Sequence, residues 1–534
     1  MTKQDVLCRL AILVVICAMV LFVALPAPVL ADGSPSLYTF RQRFGVNVAK
    51  SFGQLSDFPS SLSDFEDVLS LGFGWYSDWT FSVHPERPGD IEYAQLLPTK
   101  RWPPPWNRVE RAARANPGSL WIIGNEPETR GQGGHTPEEY AAIYQQAYYA
   151  IKAADPSARV AIGGIVMPSP LRLKWLERSL NHYQATFGEP MPVDVWNIHV
   201  QILQEKRGDW GCGIPQGLLE NAGRLYEVQD NASVPIFEQL IYDFRRWMYE
   251  RGEGHKELII SEYGVLMPSS YLRRGDDDVL AFMAGTFDFL VSARDPVLGC
   301  PADGGRLVQR WMWYSLNFPF YDETPGGFNG ALYHWQRPQE PTIFGAFYRD
   351  YVTTLAEGEV TLSAMADTTV DAQQPSRRLG QRGRLKVRGG SQPASALVRF
   401  DLSVLPPGAL IARAELRLET VASTNPSPLA VAVRPAPQDW DERSSSSELW
   451  PNGELPASLG EALLEPGIVL TCDLLRLVRR WCAGEEPNRG LLIGAEGLGP
   501  SGNGTYSLAS REWAEGPQRG PELWVEYVYH RPAP

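Results

Sequence analysis

Residues 120–127 read LWIIGNEP, a short apolar run that ends in Asn125, Glu126 and a proline. A second run of this kind, LIISEYG over residues 258–264, ends in Glu262. Short apolar runs bounded by Gly or Pro are typical of buried β-strands. Each stretch therefore predicts a strand whose carboxyl end carries an acid.

The two runs belong to a longer alternation of short apolar and amphipathic stretches, which is typical of parallel strands connected by helices. The predicted strands lie at 44–47, 74–79, 93–98, 120–125, 160–166, 193–200, 258–262 and 308–316. The predicted helices lie at 62–71, 106–115, 136–154, 171–187, 236–250 and 277–293. About 310 residues for eight strand–helix units match a (β/α)8 TIM barrel, here bounded at 38–356. The alternative, an open doubly wound sheet, is disfavoured because no GxGxxG follows the first strand.

Beyond the barrel, residues 357–530 carry short β-type runs separated by Pro, Gly and Ser. This pattern predicts a second domain, an all-β sandwich of jelly-roll type. The fold class is therefore α/β, a barrel followed by a β-sandwich.

The first 31 residues are expected to be a signal peptide. Lys3 and Arg9 precede an apolar run over 10–25, and small residues follow up to Ala31. This arrangement predicts a secreted or extracellular protein, with an uncleaved N-terminal anchor as the alternative. After residue 31 the sequence contains Cys212, Cys300, Cys472 and Cys482. Four cysteines are too few for a disulfide scaffold, and their pairing stays open.

Composition narrows the function further. The 534 residues carry a formal net charge of -13 without a basic stripe, which argues against nucleic acid as a partner. With 44% hydrophobic and 21% charged residues, the chain is neither disordered nor a multi-span membrane protein. The 17 Trp residues hint at stacking on sugar faces. No HExxH or CxxC spacing occurs, so neither a metal nor a cofactor is expected.

The chemistry is expected where the barrel strands end. Strands four and seven face each other across the barrel mouth, which would bring Glu126 and Glu262 together. Two carboxylates about 5 Å apart are the arrangement for retaining glycoside hydrolysis. A strand-ending Glu can also simply cap the next helix, but a second Glu in the matching strand favours a catalytic pair. Glu128, past Pro127, is expected to be a solvated loop residue.

With Asn-Glu ending strand four and Glu ending strand seven, the barrel resembles the clan A glycoside hydrolases. The resemblance implies that Glu126 is the general acid/base and Glu262 the nucleophile. It also implies that Asn125 forms a hydrogen bond with the sugar 2-hydroxyl. It also implies substrate-binding roles for His199 at the end of strand six and Trp313 at the end of strand eight. The sequence WYSDW over 75–79 departs from the family, because many members carry an Arg in strand two.

Further site residues are proposed from their positions. Tyr263, next to Glu262, is expected to donate a hydrogen bond to that carboxylate or to bind the substrate. The same is expected of His199, for which a purely structural role is the alternative. Trp79 is expected to stack on a sugar ring, with loop packing as the alternative. The other loop tryptophans considered in the same way are Trp102, Trp106 and Trp210.

The C-terminal region also carries a resemblance, to the DNRLRE-type β-sandwich related to carbohydrate-binding modules. The matching stretches are ADTTV at 366–370, LVRFDL at 397–402, AELRL at 414–418, WDE at 440–442 and NRGL at 488–491. The resemblance implies a candidate carbohydrate-binding module over 357–530.

Together these features predict a secreted retaining glycosidase that acts on a β-linked polysaccharide or oligosaccharide. Two alternatives stay open at this point. One is a non-catalytic carbohydrate-binding or cell-surface adhesion protein on a barrel scaffold. The other is a structural envelope protein in which the barrel is a spacer.

Overall fold

The computed structural model describes residues 36–53, 55, 57–425, 427–451, 454–496, 504–516 and 519–532. The predicted signal segment 1–31 lies outside the described residues. The chain forms two compact units. One runs through Thr286 and resumes over Arg294–Arg349, and the other holds Phe287–Ala293 and the chain from Asp350 onward. Among the described helices, none has both the length and the apolar character needed to cross a bilayer.

Parallel strands build a closed barrel in the first unit. They are β1 (Phe44–Asn47), β2 (Trp75–Ser77), β3 (Glu92–Tyr93), β4 (Gln95–Leu97), β5 (Leu120–Asn125), β6 (Arg159–Gly164), β7 (Trp196–His199), β8 (Leu258–Tyr263) and β9 (Arg310–Trp313). β3 and β4 share one barrel position, because β3 pairs with β2 and β4 pairs with β5. β9 pairs with β1, and bridges such as Ala161 to Val195 join β6 to the strand before β8. The predicted barrel is confirmed.

The helices along the barrel region follow the predicted pattern closely. They are Phe40–Arg43, Trp106–Ala115, Pro137–Ala154, Pro170–Phe187, Val234–Glu250, Asp276–Ser292 and Ile343–Thr354. The predicted helix 62–71 is instead two 3-10 turns, Leu62–Asp64 and Val68–Leu71. Between them Asp67 has a left-handed backbone with φ of 50°, which interrupts helical hydrogen bonding.

Short elements complete the barrel unit. They are the 3-10 turns Pro88–Asp90, Val228–Ala232, Ser269–Tyr271 and Pro301–Asp303, with the strands β10 (Tyr333–His334) and β11 (Arg337–Pro341).

Alternating strand residues fill the lower barrel and leave its mouth to polar side chains. The interior cluster consists of Trp75, Ala94, Leu96, Leu120, Ile122, Ala161, Val195, Ile259 and Met312. These positions show which face of each strand points inward, because side chains alternate along a strand. The same alternation, followed toward the carboxyl ends, indicates which residues reach the candidate site wherever a strand stays regular.

From residue 355 onward, the described part of the second unit is all-β apart from the helices Ser446–Leu449 and Leu475–Cys482. Its strands are β12 (Leu355–Asp371), β13 (Arg384–Arg388), β14 (Ala394–Phe400), β15 (Leu410–Ser423), β16 (Leu429–Pro435), β17 (Gly460–Leu464), β18 (Val469–Asp473), β19 (Leu491–Ala495), β20 (Thr505–Ala509) and β21 (Glu522–His530). β12 pairs with β21 up to Ser363 and with β14 from Ala364 onward, and the pairing with β14 is irregular between Ala364 and Ala366. Such a bulge bends the strand from one antiparallel sheet into another, which places the apolar core between them.

The four cysteines among the described residues, out of six in the sequence, are free thiols. Cys472 lies in β18 and Cys482 ends the following helix. Cys212 is half-buried and Cys300 is buried.

Candidate active site

Glu126 follows the last residue of β5 in a strained backbone conformation. Its φ is +42°, in the left-handed region that residues other than Gly rarely adopt. Its N–H donates to the Gly164 carbonyl at 3.0 Å, which holds the turn in place. Such strain costs about 1–3 kcal/mol and is found mainly at functional sites. The side chain is turned into the barrel mouth and is nearly buried.

Glu262 reaches the mouth because β8 is irregular. Ile259 points into the barrel, so regular alternation would turn Ser261 and Tyr263 inward and Glu262 outward. The pairing of β8 with β9 shifts register between Ile260 and Tyr263. A bulge of this kind re-aims the side chains that follow it. The irregularity therefore delivers Glu262 to the site.

The two carboxylates lie close together beside a histidine. One oxygen each from Glu126 and Glu262 and one ring nitrogen of His199 all lie within 4.8 Å of one another. Retaining glycosidases hold their carboxyl groups about 5–5.5 Å apart, whereas inverting enzymes need about 6.5–9.5 Å to admit a water. The spacing here matches the retaining geometry.

The surroundings of the two acids differ. Burial raises the pKa of Glu126 to about 7, against the lowering effect of Arg172. Burial also raises the pKa of Glu262, but Trp79 Nε1 and Gln201 Nε2 donate to its two oxygens at 3.0 and 3.2 Å. Hydrogen bonds to a carboxylate favour its charged form. Glu126 is therefore suited to hold a proton near neutral pH, whereas two donors favour the charged form of Glu262 against the burial that raises its pKa.

His199 lies against the acid. Its Nδ1 is 3.2 Å from Glu126 Oε1, and burial lowers the pKa of the ring, which favours the neutral imidazole. The ring packs on Gly164, where a Cβ would come within 2.3 Å of His199 Cδ2. Only glycine at position 164 leaves room for the histidine beside Glu126.

A cleft of about 630 Å³ opens above the pair. Among the residues predicted from sequence, Trp79, Asn125 and Trp210 line it together with both acids. Trp102 and Trp106 instead pack edge-to-face on each other, with ring centroids 5.3 Å apart.

Tyr263 and Trp313 lie elsewhere than the sequence placed them. Their rings pack edge-to-face with centroids 5.4 Å apart, and both side chains are fully buried. Tyr263 also packs against Phe237, and Trp313 Nε1 donates to the Gly330 carbonyl at 2.8 Å. Because Met312 points into the barrel, alternation turns Trp313 outward. The structure thus does not bring Tyr263 or Trp313 into the cleft.

Two residues of the site were missed by sequence reasoning. Gln201 lies two positions after His199 and donates to Glu262, while its own Oε1 is buried without a hydrogen-bond partner among the described residues. Tyr314 follows Trp313, lines the cleft, and lies 5.8 Å from Trp79 between ring centroids. Period-two alternation from His199 and Met312 is the signal that would have found both.

Glu128 is not the solvated residue that was expected. It is fully buried and accepts from Val166 N at 2.8 Å and from Arg172 Nε at 3.0 Å. Arg172 also pairs with Glu205 and donates to the Cys212 carbonyl at 3.3 Å. Because the chain after Pro127 folds back onto the end of β6, this buried network supports the cleft wall.

A metal ion could also be considered at the site. Among the described residues, Glu126, His199 and Glu262 form the group whose ligand atoms lie close enough together to hold one. Both oxygens of Glu262 already accept hydrogen bonds from Trp79 and Gln201. These donors compete with a cation for the carboxylate, so the donor set fits an acid/base pair better than a metal site.

No protein-family model and no curated protein matches this sequence. Solved structures that match include a GH128 (subgroup II) endo-beta-1,3-glucanase from Pseudomonas viridiflava, at 15% identity and a TM-score of 0.37, over 57% of this chain and 96% of that one. Xylanase 10B from Thermotoga petrophila matches at 14% identity and 0.37, over 59% and 94%. A glucosidase from Croceicoccus marinus matches at 10% identity and 0.39, over 93% and 98%. At such low identity and TM-score, the likeness says nothing of this chain's substrate.

Proposed function

We propose that this protein is a secreted retaining glycoside hydrolase that cleaves β-glycosidic bonds of a polysaccharide or oligosaccharide. The observation that carries the proposal is the approach of the Glu126 and Glu262 carboxylates to within 4.8 Å across the barrel mouth. The choice of a β-linked substrate rests on the clan A resemblance of the two strand ends.

In the first step, a Glu262 oxygen attacks the anomeric carbon and the glycosidic bond breaks. Glu126 donates its proton to the departing oxygen, and a covalent glycosyl-enzyme forms. The raised pKa of Glu126, about 7, keeps this proton available near neutral pH. Asn125, which lines the cleft, is positioned to bond the sugar as positive charge develops in the ring.

In the second step, Glu126 acts as the base. It takes a proton from a water that attacks the anomeric carbon, and the bond to Glu262 breaks. Trp79 and Gln201 favour this release because their hydrogen bonds stabilise the Glu262 carboxylate as it regains its charge. Two displacements at one carbon retain its configuration, and no cofactor is part of either step.

Secretion is proposed from the signal-like segment 1–31, and glycan attachment is proposed for the C-terminal sandwich from its DNRLRE-type stretches. Secretion is tested by expressing the full chain and sequencing the N-terminus of the exported protein, where cleavage after residue 31 is expected.

The activity is tested by reducing-sugar release from β-glucans, mannans, xylans and galactans, with Glu126→Gln and Glu262→Gln as matched variants. We expect hydrolysis of one polymer by the parent and a loss of about 10³-fold or more in each variant. NMR of the first product should show the β-anomer. An α-anomer, or full activity in either variant, overturns the mechanism. Binding without hydrolysis by the parent would favour the carbohydrate-binding alternative.

A further inference from the structure

A second cavity of about 510 Å³, called here the distal cavity, lies beside the cleft in the barrel unit. Phe328 lines both cavities. Along the chain after β8, Leu266 and Met267 line the cleft, and the next residues, Pro268 and Ser269, line the distal cavity. The two cavities therefore share a wall.

This wall is held by hydrogen bonds. The buried Asn329 side chain donates through Nδ2 to the Met267 carbonyl at 2.9 Å and to Ser269 Oγ at 3.0 Å. Phe328 N donates to the Pro319 carbonyl at 2.9 Å, and Tyr321 N donates to the Phe328 carbonyl at 3.0 Å. These hydrogen bonds hold the backbone at Phe328 in place.

Aromatic rings connect the catalytic pair with the distal cavity. Trp79, which donates to Glu262, lies 5.8 Å from Tyr314, and Tyr314 lies 5.8 Å from Phe328 between ring centroids. Tyr321 lines the distal cavity beyond Phe328. Phe328 and Tyr321 are 37% and 44% exposed, so part of each side chain is accessible to a ligand. Exposed aromatic side chains that line a cavity are typical of a ligand groove.

The distal cavity is lined by more acids than bases. Its charged and titratable lining residues are Asp276, Asp322, Glu323, His334, Arg337 and Glu340. Asp322 Oδ1 accepts from Ser270 Oγ at 2.7 Å, and among the described residues no donor to Asp322 Oδ2 is found, so this oxygen can accept from a further hydroxyl. Carboxylates bond sugar hydroxyls well, whereas an anionic sugar would be repelled by the excess of negative charge.

We propose that the distal cavity is a subsite for a neutral sugar chain that also occupies the cleft, so that the protein acts within long chains. The inference rests on the proposed glycosidase function. Its ligand is a longer segment of the same uncharged β-glycan, and polyuronates are excluded.

Tyr321→Ala tests the subsite, because Tyr321 lines the distal cavity and not the cleft. Tyr249→Ala is the matched control, since Tyr249 is 52% exposed on the helix Val234–Glu250 and lines neither cavity. The measurement is kcat/KM for long and short oligosaccharides of the neutral polymer that the parent cleaves. We expect Tyr321→Ala to lower the long-to-short ratio about tenfold, as for a truncated aromatic anchor, and the control to keep it. A parental ratio in Tyr321→Ala overturns the subsite.

Binding separates this inference from the proposed activity. If the parent hydrolyses none of the four polymers, the proposed function fails, and calorimetric titration of long gluco-, manno-, xylo- and galacto-oligosaccharides still tests the subsite. Weaker binding by Tyr321→Ala than by Tyr249→Ala supports the subsite, whereas equal binding or no binding by either overturns it. Polygalacturonate is expected not to bind, and binding as tight as that of the neutral chain overturns the charge selectivity.

Discussion

The indole of Trp79 donates a hydrogen bond to Glu262 Oε2 at 3.0 Å, from a backbone with φ of +58°. A tryptophan after strand two thus holds the proposed nucleophile, in the stretch where the sequence departs from the clan A pattern. The left-handed backbone of Trp79 is a second strained position at the site, beside that of Glu126.

Trp79→Phe is expected to keep an aromatic face and to lose the donor. A hydrogen bond to a charged group contributes about 1.5–3 kcal/mol, so kcat should fall about tenfold or more. The pKa of Glu262 should rise, which moves the acidic limb of the pH–rate profile to higher pH. The control is Trp102→Phe, because the Trp102 indole donates to Gln146 outside the cleft. Identical profiles for the two variants would contradict the role of Trp79.

The alkaline limb of the pH–rate profile is expected to report Glu126. Its pKa of about 7 means that the proton needed by the leaving group is lost as the pH rises through about 7. Activity should therefore fall above neutral pH. With a dinitrophenyl glycoside, whose leaving group needs no proton, Glu126→Gln should still release dinitrophenolate in a first burst, without the alkaline limb. Retention of that limb in Glu126→Gln would assign it to another group.

The sequence predicted the barrel and the acid pair because both depend on strong signals. Long strand–helix alternation specifies the barrel, and a carboxylate after an apolar run marks a strand end. The sequence did not predict correctly which side chains point into the barrel near those strand ends. The irregularity between Ile260 and Tyr263 changes which side chains of β8 point into the barrel, and no residue type in this stretch predicts it. In β9, by contrast, regular alternation from Met312 already indicates Tyr314 rather than Trp313.

The burial of Glu128 was missed for another reason. Its partner Arg172 lies 44 residues away on the helix Pro170–Phe187, and a single sequence does not show such long-range ion pairs. A charged residue after a proline turn usually faces solvent, and only the tertiary fold supplies the guanidinium that makes its burial tolerable.

Gly164→Ala is expected to disturb the site with little effect on the fold. The added Cβ would lie 2.3 Å from His199 Cδ2 and 2.5 Å from Nε2, so the ring must move away from Glu126. We expect kcat to fall about tenfold to a hundredfold, since small misplacements of catalytic groups are costly. Gly254→Ala is the control, because a Cβ there meets no atom closer than 3.4 Å. Equal activity of the two variants would show that His199 does not position the acid.

In the β-sandwich, Asp367 is expected to make stability depend on pH. Burial raises its pKa to about 7, against a hydrogen bond from Arg511 N, while an unfolded Asp titrates near 3.9. The folded state therefore binds the proton more tightly, and stability is lost as the pH rises from about 4 through about 7. Asp367→Asn stays neutral, so at pH about 8 its free energy of unfolding, measured by denaturant titration, should exceed that of the parent by on the order of 2 kcal/mol. Near pH 4 the two proteins should be equally stable. Asp439→Asn, at a side chain 83% exposed, is the control. A parent more stable than Asp367→Asn at pH about 8 would show that the carboxylate is ionised and stabilising.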